Sequence, residues 1–268
     1  MTDRSASSAR FRDLHNGPEI LVLPNPWDGG SARLMESLGA KAIATTSAGV
    51  AWAHGYPDGN KLPVEIYAAT IRDIERAVGL PITVDAEGGY GEDRASVGES
   101  IGRLIDAGAI GINIEDGHET PDRTCVKIEA AKEAALRAGI DLFVNARTDV
   151  FLKSLAPGRE VEEILVRARL YAKAGCDGIF TPGAKDRETI GAIARGLALP
   201  LNVMALPGLP PTAELYELGV RRLSAGSAIA QAAWGLVRKL SANYLDGRDV
   251  ELFSGALQYA DINTLMIV

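Results

Sequence analysis

Two short apolar segments of this chain each end in carboxylates. Residues 82–84 (Ile-Thr-Val) precede Asp85 and Glu87, and residues 111–114 (Gly-Ile-Asn-Ile) precede Glu115. Runs rich in β-branched residues are typical of buried strands, and neighbouring parallel strands bring their ends to one rim. Carboxylate oxygens with almost no histidine or cysteine nearby suit Mg²⁺ or Mn²⁺ better than Zn²⁺. We therefore predict a metal site with Asp85, Glu87 and Glu115 as ligands and Mg²⁺ as cofactor, Mn²⁺ being possible.

Arg147 follows the next predicted strand and supplies a cation at the same rim. Its planar guanidinium can bind a carboxylate through two hydrogen bonds. A metal ion beside it would complete a receptor for a small oxo-acid. Ser47 and the amides of residues 48 and 49 offer a second place for a carboxylate. We predict catalytic roles for Arg147, Glu115 and Asp58, and substrate contacts for Trp27, Ser47, Ala48, Gly49, Arg147 and Asn202.

Each of these residues also has a purely structural interpretation. An acid followed by glycine commonly caps a helix or closes a turn, and Arg147 could simply neutralise Glu115 in an ion pair. Trp27 could form a pocket wall or part of the core. The loop histidines His54 and His118 fit a solvent-facing position better than a catalytic one.

The elements that must position these residues follow a regular strand–helix alternation. Eight short apolar strands are predicted, at residues 20–23, 42–46, 82–84, 111–114, 142–146, 178–181, 201–205 and 222–224, with helices between them. Apolar strands covered on both faces are typical of parallel sheets. Eight such units in about 250 residues predict an α/β fold of the (β/α)8 TIM-barrel type. An open doubly wound sheet is the alternative, although no GxGxxG follows the first strand.

Composition excludes several classes of function. The 268 residues are 47% hydrophobic and carry a net charge of −7, without a basic run, which disfavours a nucleic-acid or membrane partner. Two isolated cysteines predict neither a disulfide framework nor a cysteine metal site. A reducing cytoplasmic location is the default expectation. We predict one domain over residues 1–268, with residues 1–9 flexible and 246–268 forming a tail that packs on another subunit.

With these residues in view, the chain resembles the isocitrate lyase/phosphoenolpyruvate mutase superfamily over nearly its whole length. The strings that carry the resemblance are Pro-Asn-Pro-Trp-Asp at 24–28, Thr-Thr-Ser-Ala-Gly-Val at 45–50, Gly-Tyr-Pro-Asp-Gly at 55–59, Val-Asp-Ala-Glu-Gly-Gly-Tyr-Gly at 84–91, Asn-Ile-Glu-Asp at 113–116 and Asn-Ala-Arg-Thr-Asp at 145–149. The order of these strings is more specific than any one of them alone.

The resemblance implies a barrel whose last helix is exchanged between subunits of a homodimer or homotetramer. It implies Mg²⁺ held by Asp85, with help, partly through water, from Glu87, Glu115 and Asp58. It also implies an α-oxo-carboxylate bound by the metal, Arg147 and residues 47–49. The chemistry implied is the formation or consumption of a metal-stabilised pyruvate-type enolate.

One loop departs from the family pattern. Isocitrate and methylisocitrate lyases carry Lys-Lys/Arg-Cys-Gly-His after the fourth strand, whereas residues 116–125 here read Asp-Gly-His-Glu-Thr-Pro-Asp-Arg-Thr-Cys. The chain therefore looks closest to the small α-oxo-acid lyase and oxaloacetate-decarboxylase-like branch.

We accordingly predict a Mg²⁺-dependent lyase that cleaves or decarboxylates a small α-oxo or 2-hydroxy acid. Phosphonopyruvate-type C–P chemistry is the alternative enzyme, and a non-catalytic, metal-dependent oxo-acid binder is the alternative of another class. A Schiff-base aldolase is disfavoured because no lysine lies at a predicted strand end.

Overall fold

Eight parallel strands form one curved sheet that nearly closes into a barrel. The computed structural model describes residues 4–248 and 252–267. The strands are β1 (Leu21–Leu23), β2 (Ile43–Ala44), β3 (Ile82–Asp85), β4 (Gly111–Glu115), β5 (Phe143–Arg147), β6 (Gly178–Phe180), β7 (Leu201–Met204) and β8 (Val220–Ser224). Their order is β1-β8-β7-β6-β5-β4-β3-β2, and every pair is parallel. The predicted (β/α)8 TIM-type fold is confirmed.

Helices follow the strands around the outside of the barrel. They are α1 (Arg4–Asn16), α2 (Gly29–Ser37), α3 (Ser47–Ala53), α4 (Val64–Ala77), α5 (Arg94–Asp106), α6 (Pro121–Ala138), α7 (Glu160–Lys173), α8 (Arg187–Gly196), α9 (Thr212–Glu217), α10 (Ala228–Leu245) and α11 (Tyr259–Leu265). On α4, Tyr67, Ile71 and Ile74 recur at helical spacing and are fully buried against the sheet. None of the helices in the described ranges is long and apolar enough to cross a membrane.

The first helix closes the end of the barrel opposite the strand ends that carry the acids. Phe11 is fully buried, and its ring meets that of Phe143 edge-on at 5.4 Å. His15 stacks on Phe143 at 4.1 Å and contacts the Phe11 carbonyl through Nδ1 at 2.8 Å. Residues 4–9, expected to be flexible, form the first turns of α1, and the next turn of this helix packs in the barrel core. Residues 1–3 lie outside the described residues.

Two loops predicted near the site are partly helical. Residues 47–49, which follow the second predicted strand, form the first turn of α3, where the side chain of Thr46 caps the helix by accepting from the Gly49 N–H at 3.3 Å. The segment after β4, described above as a loop over residues 116–125, is helical from Pro121, where α6 begins. A proline at the first helical position and Asp122 in the first turn both favour this early start. The loop after β4 is correspondingly short.

Candidate active site

Three adjacent strands end in the charged residues predicted for the site. Asp85 is the last residue of β3, Glu115 of β4 and Arg147 of β5, and Glu115 and Arg147 are cross-strand partners. Arg147 Nη1 lies 2.6 Å from Glu115 Oε2. Because parallel strands deliver their carboxyl ends to one rim, these groups meet on the face where barrel enzymes place their chemistry.

Arg147 also binds a second acid that was not predicted from the sequence. Its Nε and Nη2 donate to the two carboxylate oxygens of Asp149 at 2.7 and 3.1 Å. Asp149 is fully buried, so this pair fixes the plane of the guanidinium. The Arg-x-Asp spacing at the end of a strand was the available signal, and the structure shows that the two side chains turn towards each other.

Asp85 is held by the first turn of α3 and keeps one oxygen free. Ser47 Oγ donates to Asp85 Oδ2 at 2.8 Å, and the Ser47 backbone N–H approaches the same oxygen at 3.4 Å. Tyr67 and Thr45 hold the backbone of Asp85 through hydrogen bonds of 3.0 Å each. Asp85 Oδ1 is buried and has no hydrogen-bond partner in the part of the chain that the structure describes.

Glu87 lies in a tight turn directly after β3. Its φ of 47° is in the left-handed region, which is uncommon for a residue with a side chain. Tyr90 donates to Glu87 Oε1 at 2.6 Å, and the Asn60 backbone N–H donates to Oε2. Burial raises the pKa of this carboxyl above its ordinary value, an effect that the two donors partly offset. Glu87 thus ties the loop after β2 to the loop after β3.

Burial, with a smaller contribution from neighbouring acids, raises the pKa of two other carboxyls as well. Burial raises the pKa of Glu115 to about 8, and this outweighs the opposing attraction of Arg147. Asp58 lies in an exposed part of its loop, yet partial desolvation raises its pKa, with repulsion from Asp85 adding to the effect. Carboxyls with perturbed pKa values that lie near one another are characteristic of functional sites.

Of the remaining predicted residues, some reach this rim and one lies deeper. Trp27 is partly buried and packs beside Gly49, where a Cβ added to the glycine would lie 3.1 Å from Trp27 Cβ. Ala48 is buried in the same turn of α3. Asn202 is 1% exposed inside the barrel, where Ser224 donates to its Oδ1 at 3.2 Å. No contact joins Asn202 to Asp85 or Arg147 in the described residues, so its role in substrate binding stays a prediction.

Asp116 is a structural residue, although it follows Glu115 directly. It is fully buried and accepts from the Asp149 N–H at 2.9 Å, from Arg167 at 2.8 Å and from Tyr171 at 2.7 Å. These bonds join the loops after β4 and β5 to α7. Asp116 therefore positions Asp149, and through it Arg147.

The donor set fits a hard cation that is bound directly by few protein atoms. Within residues 4–248 and 252–267, no three His, Cys, Asp or Glu side chains are close enough to enclose a metal ion. Glu115 and Glu87 already have partners, which leaves the free Oδ1 of Asp85 as the candidate for a direct ligand. Mg²⁺ usually retains several waters and binds one or two carboxylates, so this arrangement suits it.

A cleft of about 1030 Å³ lies beside the rim and reaches it at Glu115. Its walls come from the loops after β2, β3 and β4 and include Asn60, Tyr90, Glu115 and His118. Lys127 on α6 completes one wall and lies 2.7 Å from Glu119. The volume is ample for a small acid and its waters.

Comparison with known proteins agrees with this geometry. The family model described as phosphoenolpyruvate phosphomutase matches residues 11–245. The uncharacterized protein Rv1998c of Mycobacterium tuberculosis is 32% identical over 266 residues, and the match covers 96% of each chain. An oxaloacetate decarboxylase of Pseudomonas entomophila is 30% identical over 233 residues, and the match covers 83% of this chain and 79% of the decarboxylase. The crystal structure of a proposed phosphonomutase of Burkholderia cenocepacia J2315 is 43% identical with a TM-score of 0.84, covering 88% of this chain and 99% of that one. The chain thus belongs to the phosphoenolpyruvate phosphomutase family, and it is an enzyme of the lyase and mutase type found in the isocitrate lyase/phosphoenolpyruvate mutase superfamily.

Proposed function

We propose that this enzyme is a Mg²⁺-dependent lyase that cleaves or decarboxylates a small α-oxo or 2-hydroxy carboxylic acid through a pyruvate-type enolate. The observation that carries the proposal is the free, buried Oδ1 of Asp85 on the same rim as the guanidinium of Arg147. A cation ligand and a carboxylate receptor side by side are what an oxo-acid requires.

The charge of each group in the site determines the role that we propose for it. Bound Mg²⁺ would supply Lewis-acid stabilisation where negative charge develops on the keto oxygen. Arg147, fixed by Asp149, would orient the substrate carboxylate, and residues 47–49 with Trp27 would form the opposite wall. Asp58 and Glu115, whose pKa values are raised, are the candidates for moving a proton at the rim.

The test is to titrate the purified protein with Mg²⁺ at fixed oxaloacetate and to measure pyruvate. Because Mg²⁺ alone promotes loss of CO₂, each point needs a protein-free blank, and the Asp85→Asn variant serves as a matched control. We expect turnover above the blank that follows Mg²⁺ and disappears with EDTA. Turnover that persists in EDTA would contradict metal dependence. A panel of 2-hydroxy diacids, scored for oxo-acid products, separates decarboxylation from C–C cleavage.

Phosphonopyruvate chemistry is the second candidate. It is favoured by the 43% identity to the proposed phosphonomutase. Phosphate release, or a change in the ³¹P spectrum with phosphonopyruvate as substrate, would support it over the first proposal. Binding of oxo-acids with Mg²⁺, seen as a rise in Tm without turnover on any of these substrates, would instead indicate a non-catalytic binder.

We also propose that α10 is exchanged between subunits of a homodimer or homotetramer. Ala230 is the one residue of α10 that is buried, whereas Trp234, Leu236 and Val237 are 47–56% exposed. A groove of about 510 Å³ runs beside β1 and β8, where the eighth helix of a barrel normally packs, and Val22 on β1 is 48% exposed in it. The apolar helix and the uncovered apolar groove are complementary, as expected if a second copy supplies the missing cover.

Sedimentation velocity tests this proposal. The wild-type protein should sediment at two or four times its chain mass of 28.3 kDa. Trp234→Asp should shift it towards the monomer, while Leu136→Asp, at an 81% exposed site on α6, should not. A monomeric wild-type protein would contradict the exchange.

A further inference from the structure

Arg222 is a buried cation in the interior of the barrel. It lies in the middle of β8 and is 0% exposed. Its Nη2 donates to Asn113 Oδ1 at 3.1 Å, whereas Nε and Nη1 have no hydrogen-bond partner in the described ranges. It also forms no ion pair with any residue that the structure describes. A buried charge without a paired opposite charge is strongly unfavourable, so the fold alone does not account for an arginine here.

The groups on the α1 side of Arg222 carry no compensating negative charge. The guanidinium lies 6.0 Å from the centre of the Phe11 ring. His15 is neutral at physiological pH because burial, aided by the charge of Arg222, lowers its pKa to about 3. Burial also lowers the pKa of Arg222, to about 9, while attraction to Asp85 raises it in opposition. Arg222 therefore remains a cation near neutral pH, and Asp85 is the acid whose charge it senses.

Asn113 connects Arg222 to the rim. It is the cross-strand partner of Asp85, and its Oδ1 accepts both from Arg222 and, at 2.9 Å, from Asn145 Nδ2. At the rim, the acids outnumber Arg147, which is already shared between Glu115 and Asp149. A second positive charge from inside the barrel would reduce this excess.

We propose that Arg222 is a positioning residue whose positive charge, next to Asn113 in the barrel interior, balances the carboxylates of the rim. As a result, the site binds an anionic oxo-acid well and a divalent cation only moderately. The inference rests on the proposed function, since it concerns the same metal and substrate. Its signature is a pair of effects of opposite sign. Loss of the charge should strengthen cation binding and weaken anion binding, whereas structural damage would weaken both.

The experiment compares Arg222→Met with Arg222→Lys, which keeps the charge. Mn²⁺ binding is measured from the free-ion EPR signal, and binding of oxalate, a planar dianion, is measured by calorimetry on the Mn²⁺-loaded protein. For Arg222→Met we expect Mn²⁺ to bind tighter, and oxalate weaker, each on the order of tenfold. Its Tm without metal should equal or exceed that of the wild type, because an unpaired buried charge has been replaced by an apolar side chain. Arg222→Lys should stay close to the wild type in both affinities.

The other outcomes overturn the inference in distinguishable ways. Weaker binding of both probes by Arg222→Met, a lower Tm, or failure to fold would show that Arg222 has a structural role. Unchanged affinities would show that its charge does not reach the rim. If the wild-type protein itself binds no Mn²⁺, the proposed function is contradicted first, and this inference falls with it.

Discussion

Replacing Asp85 with asparagine tests the predicted metal site most directly. The change keeps the shape of the side chain and allows its oxygen to accept from Ser47, but removes the charge beside the free Oδ1. A unit charge about 3 Å from a divalent cation contributes roughly 3 kcal/mol even at the dielectric constant of water. We therefore expect Asp85→Asn to weaken Mn²⁺ binding by roughly a hundredfold.

The same substitution should not destabilise the metal-free protein. Asp85 faces the cations Arg147 and Arg222 as well as other carboxylates, so its charge contributes attraction and repulsion together, and its Oδ1 has no hydrogen bond to lose in the described structure. The Tm in EDTA should therefore stay close to that of the wild type, while the rise in Tm on adding Mg²⁺ should be lost. Isothermal titration calorimetry and thermal unfolding on the same preparations measure both effects.

Asp93→Asn is the matched control. Asp93 lies on the same connection between β3 and α5, but it is exposed and caps α5 by accepting from the Ser96 N–H at 2.8 Å, which asparagine can also do. Its Mn²⁺ affinity should stay within about twofold of the wild type. Wild-type affinity in Asp85→Asn, or an equal loss in both variants, would refute the assignment of Asp85 as the direct ligand.

Three further predictions concern the rim, the barrel end and one loop. Arg147→Lys removes the pair of hydrogen bonds to Asp149, so kcat/KM for the oxo-acid, measured from initial rates, should fall on the order of a hundredfold. An unchanged kcat/KM would exclude Arg147 from substrate binding. His15 has a pKa of about 3 in the folded protein, against 6.5 for an ordinary histidine. As the pH falls below 6.5, the unfolded chain therefore binds a proton that the folded protein does not, and the folded state loses stability down to pH 3. Urea unfolding at pH 7 and pH 4.5 should show about 2 kcal/mol more loss for the wild type than for His15→Gln, and equal losses would contradict the shift. Gly91→Ala should lower Tm because a Cβ there would lie 2.5 Å from a backbone nitrogen of α5. Gly102→Ala, with open space around it, should raise Tm slightly. A change in Tm of the same sign for both variants would contradict the packing argument.

The alternation of apolar strands with amphipathic helices was sufficient to predict the barrel. A short run of apolar, β-branched residues such as 82–84 indicates a strand that is covered on both faces, as in a parallel sheet. This pattern can be recognised from the run itself, without knowledge of the rest of the fold. Charged residues placed directly after those runs had to reach one rim, which is why Asp85, Glu115 and Arg147 were predicted together. The start of α6 was missed because the polar run before it contains the proline and acid that begin a helix, and it was interpreted as a loop.

Pairings between distant parts of the chain were decided only by the tertiary structure. Nothing near Asp116 indicates that it turns inward to Arg167 and Tyr171, because these contacts depend on how α7 packs on the sheet. Arg222 appears in the sequence as one of two adjacent arginines, and only the register of β8 turns it into the barrel while Arg221 points outward. The sequence by itself determined which chemical groups stand at the strand ends, since a strand's end is a local property. Their ionisation and partners were decided by burial and distance, which exist only once the barrel has closed.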